Sequence, residues 1–193
     1  MPETTREMLL QDLDSEVRAE LLQGMRVPQP IVLRTGTIVI RFANSATWSD
    51  RWARSPWWID ESAYQHLEAV RSHSLKVHDN DPGRAMTLGL LAKQALAVKQ
   101  RWSQDGPPNL MDMVIRAEVV REVHAFVGRG HTQYEAAPNG FRVTWTGWSS
   151  VQQVFIPELA RGRGPAIGPW VSPEPNEVVR VRQSAKVLSQ QLF

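Results

Sequence analysis

Arg41 lies inside the segment TGTIVIRFAN, residues 35–44, a run rich in β-branched residues that reads as a buried strand. A guanidinium keeps its proton at any physiological pH, so burying one requires an anion beside it. That anion is either a carboxylate of the chain or a ligand such as a phosphate. Immediately downstream, RFANSATWSDRWARSPWWID carries Trp48, Trp52, Trp57 and Trp58, half of the eight tryptophans, interleaved with Arg41, Arg51 and Arg54. Indole faces pack cores, stack on nucleic-acid bases, or wall pockets for flat and partly cationic rings. Neighbouring residues point apart in a strand and about 100° apart in a helix, so the four cannot all enter one core from one element. At least one lines a groove or an interface.

Other chemistries are absent from the pattern. The chain has no GxxxxGK[ST] phosphate loop, no GxGxxG after a strand, no HExxH and no GxSxG. Its five histidines (66, 73, 78, 124 and 131) lack metal-ligand spacing. With no cysteine there is no thiolate zinc site, thiol nucleophile or disulfide, and no metal is expected. Carboxylates are numerous, yet no spacing singles out an acid–base pair. Twenty-two basic against 20 acidic side chains give a net charge of +2, which argues against a nucleic-acid-binding face. No charged segment precedes an apolar run at the N-terminus, and no apolar run approaches 18 residues. The expectation is therefore a protein without signal peptide or membrane span, cytoplasmic where it is made.

These residues need elements to position them. Residues 4–23 predict an amphipathic helix, with Thr4 and Glu7 at capping-box spacing, an apolar stripe of Leu10, Leu13, Val17 and Leu21, and Gly24 as its stop. VPQP, residues 27–30, reads as a linker that isolates this helix, giving an accessory helix at 1–26 and one domain at 31–193. In the strand that follows, Ile38 and Ile40 face one side and Val39 and Arg41 the other. A helix starts near Asp60 and runs through Ala63, Leu67 and Val70. A second is expected from Asp81-Pro82, as N-cap and N1 proline, to about Trp102. The period then changes to two: AEVVREVHAFVGRG, FRVTWTG, VQQVFIPEL and NEVVRVRQ all read as strands, with a turn at Gly147. RGRGPAIGPWVSPEP, residues 161–175, is a Gly/Pro-rich loop carrying two arginines. The fold class is α+β: an N-terminal helix, then a mixed, mainly antiparallel β-sandwich with two helices inserted after the first core strand.

The order of these features resembles the ADP-ribosyltransferase-like toxin and effector fold over roughly residues 34–182. The elements are a strand arginine, an aromatic segment, two helices, the strand ending AFVGRGHTQ, and a glycine turn into VQQVFIP. The resemblance implies that Arg41 orients the pyrophosphate and ribose of NAD, with Trp57 and Trp58 walling the nicotinamide. It places Gly128–Gln133 at the middle motif, where Thr132 is the hydroxyl residue, and Gln153, with Gln152 as understudy, at the scissile bond. It also implies NAD as substrate, with a protein, a nucleic acid or water as acceptor, and delivery to a target cell. The sequence departs from the family where a glutamate is usual and two glutamines stand; an amide can hydrogen-bond but supplies no charge. Glu158 and Glu135 are candidate substitutes. Two other functions fit the same residues: a partner-binding domain using Trp48–Trp58 as its hot spot, and a nucleic-acid-binding domain using the arginine–tryptophan stretch with the RGRG loop. Oligomeric state is not legible.

Overall fold

The structure is a computed structural model that describes residues 8–45, 55–99, 109–136, 140–160 and 178–186. The class is α+β, as the alternation of periods implies. Three helices, α1 (Ser15–Gly24), α2 (Glu61–Val77) and α3 (Leu88–Leu96), pack against a seven-stranded sheet. Its strands are β1 (Met25–Leu33), β2 (Ile38–Ala43), β3 (Trp57–Asp60), β4 (Met113–Val119), β5 (Val123–Gly130), β8 (Gln152–Phe155) and β9 (Val179–Lys186). They run in the order β1-β5-β8-β3-β2-β4-β9, and every recorded pairing is antiparallel. A hairpin of β6 (Gln133–Ala136) and β7 (Arg142–Trp145) forms a separate two-stranded sheet.

The sheet rolls without closing into a barrel. Leu33 at one edge and Val178 and Val179 at the other join a single apolar cluster with Val39, Trp58, Ala117, Val119, Val123, Ala125 and Val154. The opposite face is covered by helices. Leu67 of α2 and Leu88, Leu91 and Ala95 of α3 pack on Ile40 and Ile59, while Val17 and Leu21 of α1 pack on Phe126 and Phe155. Each fully buried leucine contributes about 1.5–3 kcal/mol. Alternation along β2 follows the expected pattern, with Val39 in the first cluster and Ile40 in the second.

Four local expectations are corrected. Residues 27–30 are no linker: α1 runs directly into β1, whose register with β5 spans Met25↔Gly130 to Leu33↔Val123. Prolines 28 and 30 are tolerated because β1 is an edge strand, and a register shift between Arg26 and Gln29, with Val27 at φ +51°, absorbs the irregularity. The first helix begins at Ser15, capped by Asp14, whose carboxylate accepts from the Glu16 amide, and it follows a 3-10 turn at Leu10–Asp12; the Thr4–Glu7 box lies outside the described residues. α3 starts after Thr87, whose hydroxyl accepts from the Leu90 amide, and not at Asp81, which leads instead into a 3-10 turn at Pro82–Arg84. It stops at Leu96 because Ala97 adopts a left-handed conformation, φ +54°. Finally, α2 and α3 follow β3, a short strand that intervenes after β2. The helix expected near Asp60 stands as α2, with the Asp60 carboxylate accepting from the Ala63 amide at 2.7 Å as its cap.

Candidate functional site

The sheet forks between β2 and β3. These strands pair only at Val39↔Asp60 and Ile40↔Ile59. Beyond that point β2 continues through Ala43 bonded to β4, and Trp57 and Trp58 bond to Phe155 and Val154 of β8. Each tine is tied to its own half of the sheet. Asn44 accepts from the Met111 amide at 2.9 Å, and Asp112 receives the Ser45 amide at 2.7 Å and the Ser45 hydroxyl at 2.5 Å. On the other side, the Pro56 carbonyl accepts from the Ile156 amide, and the Ser55 carbonyl accepts from the Trp58 indole at 2.8 Å. Anchors pulling in opposite directions hold the gap open.

A cavity of about 530 Å³ occupies this fork, within the size range of small-molecule and cofactor sites. Arg41, Trp57, Trp58 and Gln153 all line it. Arg41 is half-buried on the wall. Trp58 is 2% exposed and contributes to the core with one face of its strand. Trp57, half-buried, meets Phe155 edge-on at a centroid distance of 4.7 Å. The tryptophan pair is thus divided between core and wall, while Trp48, Trp52, Arg51 and Arg54 lie outside the described residues.

Gln153 closes one end. It is 7% exposed, and its side-chain amide donates to the carbonyl of Leu96. The last four carbonyls of a helix have no partner within it, and here each finds one. Val98 N–H serves Lys93, Ala97 N–H serves Gln94, Trp148 N–H serves Ala95, and Gln153 serves Leu96. Gln153 therefore fastens α3 to β8 at the cavity. Gln152 is exposed, in register with Arg129, and does not line the cavity.

The Gly128–Gln133 segment works as a strap. A Cβ on Gly130 would stand 2.6 Å from the Leu96 carbonyl oxygen and 2.8 Å from the Gln153 side-chain nitrogen, so only glycine fits. The His131 amide donates to the Gly24 carbonyl at 2.9 Å, and the Gln133 side chain donates to the Gln23 carbonyl at 2.9 Å. Gln133 reaches the cavity; Thr132, half-buried in the same loop, does not.

The end of α1 completes the wall through Glu20, Gln23 and Gly24. Trp57's ring lies where a side chain on Gly24 would stand, and its indole N–H donates to Glu20 at 3.3 Å. Periodicity could not reveal this, since Glu20 belongs to the polar face of an amphipathic helix and looks like any solvated carboxylate. Of the two glutamates considered as substitutes, Glu158 pairs with Arg121 and Glu135 accepts from the Trp145 indole at 3.0 Å; neither lines the cavity. Lys99 and Asn109 are further lining residues that the sequence did not single out. Lys93, fully buried on α3 and outside the lining, has its pKa lowered to about 8 by burial, which Glu135 and Asp112 oppose. Among the described residues, no three histidine, aspartate or glutamate side chains are grouped to hold a metal, and no helix is long and apolar enough to cross a membrane.

No family model and no curated protein matches the chain. Among solved structures, it is similar to Rhs1-CT in complex with its cognate immunity protein RhsI1, at 13% identity over 85% of this chain and 84% of that one, with a TM-score of 0.42. That likeness is too distant to bear on activity.

Proposed function

We propose that the fork cavity binds NAD and that the protein is an ADP-ribosyltransferase-like enzyme, transferring ADP-ribose to an acceptor or to water, in the role of a toxin or effector. One observation carries this reading: a cavity of ligand size gathers Arg41, the Trp57–Trp58 pair and Gln153 from three strands separated in sequence by up to 112 positions (153 − 41). Arg41 offers a planar fork of donors for the pyrophosphate. The Trp57 indole offers a wall for the nicotinamide ring. In the reaction, the bond between nicotinamide N1 and ribose C1′ breaks, and its electron pair leaves with neutral nicotinamide. The acceptor oxygen or nitrogen bonds to C1′ and loses its proton to solvent. Gln153, committed to the Leu96 carbonyl, acts by holding the wall in place, so catalysis here relies on positioning.

Calorimetric titration with NAD, beside an Arg41→Ala variant, tests the reading. Loss of a charge-assisted contact to phosphate should weaken binding about 10- to 100-fold. Fluorescence release from etheno-NAD then reports turnover. Absence of NAD uptake by the unaltered chain at millimolar concentration, or equal affinity in the Arg41 variant, would overturn it.

A further inference from the structure

Where β1, β5 and β8 run side by side, one rung of the ladder carries Arg26, Arg129 and Gln152. Arg26 is in register with Arg129, and Arg129 with Gln152. Residues opposed in this way share a face of the sheet, and none of the three lines the cavity. Among the described residues, neither guanidinium has a hydrogen-bonding or ion-pairing partner. Like charges directly opposite each other destabilise a sheet. Arg129 is also half-buried, which makes an uncompensated charge there more costly. The backbone beside the pair is strained as well. Val27 has φ +51°, a conformation rare for a β-branched residue, and at 69% exposure no core packing holds it there. The register shift between Arg26 and Gln29 sets Arg26 back on the ladder opposite Arg129, the kind of re-aiming that bulges perform beside functional sites.

We infer that Arg26, Arg129 and Gln152 form a binding site for a phosphate group, separate from the cavity and independent of the dinucleotide reading above. Side chains opposed on a ladder stand about 5 Å apart at Cβ, so both guanidinium forks reach one anion between them. A carboxylate has two oxygens and a single charge. A terminal phosphate has three acceptor oxygens and a charge close to −2 at neutral pH. It therefore balances both arginines, gives each fork an oxygen, and leaves an acceptor for the exposed Gln152 amide. Binding of such an anion turns the repulsion across the rung into attraction.

Calorimetric titration of the full chain with inorganic pyrophosphate and with a single-stranded oligonucleotide, beside Arg26→Gln and Arg129→Gln, tests this. Each variant should weaken pyrophosphate binding about 10- to 100-fold, the loss of one charge-assisted contact. Without ligand, both variants should melt at or above the temperature of the parent, because the like-charge contact is relieved; a guanidinium that merely supports the fold would give the opposite shift. Oligonucleotide binding that is tighter than that of pyrophosphate, falls with salt and is lost in the same variants assigns the phosphate to a nucleic-acid backbone. Binding of pyrophosphate with no gain from the oligonucleotide assigns it to a small phosphorylated ligand. Absence of uptake of either probe by the unaltered chain at millimolar concentration, affinities unchanged in the two variants, or variants that melt below the parent would each overturn the site and leave the cavity reading untouched.

Discussion

Replacing Gln153 by glutamate puts a carboxylate in the place of an amide, and the structure makes the cost of that change calculable. The Gln153 amide donates to the Leu96 carbonyl in a space where the side chain is only 7% exposed. In the Gln153→Glu variant the nearly isosteric carboxylate cannot donate while ionised; two acceptors would then face each other out of water. Only the protonated carboxyl reproduces the bond, so its pKa in the folded state must rise above the ordinary value of about 4.3. The folded protein then holds the proton more tightly than the unfolded chain. Stability is therefore fully present below about pH 4.3 and falls as pH rises through the folded value, by up to about 1.4 kcal/mol per pH unit. Gln153→Leu supplies the uncharged comparison. It leaves the Leu96 carbonyl without its donor and costs about 1–3 kcal/mol at any pH. For a chain of this size each kcal/mol lowers the melting temperature by about 2–4 °C. Urea denaturation of the three proteins between about pH 5 and pH 8 should show a gap that widens with pH for Gln153→Glu and stays constant for Gln153→Leu. A Gln153→Glu variant as stable as the parent at the upper pH, or a gap that ignores pH, would refute the assignment of Gln153 as the fastening of α3.

Two further outcomes are expected. Gly130→Ala places a methyl against the Leu96 backbone carbonyl and the Gln153 side-chain amide that is bonded to it, and should destabilise the protein by about 1–3 kcal/mol in the same denaturation assay. Lys93 has its pKa lowered to about 8 by burial, so between there and its ordinary value of 10.5 the unfolded chain binds the extra proton. Its contribution to stability should accordingly rise across that window, and Lys93→Met should lose this rise, read as the difference between the two stability–pH curves.

Much of the local structure was legible because it depends on local chemistry. Asp60 caps α2 through a carboxylate three residues from the amide it receives. Val39 and Ile40 sort to opposite faces because a strand alternates with period two. Where longer-range contacts compete, the local signal misleads. VPQP has the composition of a linker, yet it becomes an edge strand because β5 offers a ladder that no neighbouring residue reveals. Asp81-Pro82 looks like a helix start, yet the Thr87 hydroxyl caps α3.

The site divides in the same way. The sequence alone determined that an apolar strand carries an arginine and that the adjacent tryptophans of a pair point apart. Only the tertiary structure decided that these meet. The fork between β2 and β3 exists because Asn44 and Ser45 are bonded toward β4 while Ser55 and Pro56 are bonded toward β3 and β8. Only the fold, too, brought Glu20 to Trp57 across 37 positions. Periodicity reports which side of an element meets the core; it carries no record of which distant element stands opposite, and a cavity is made of such oppositions.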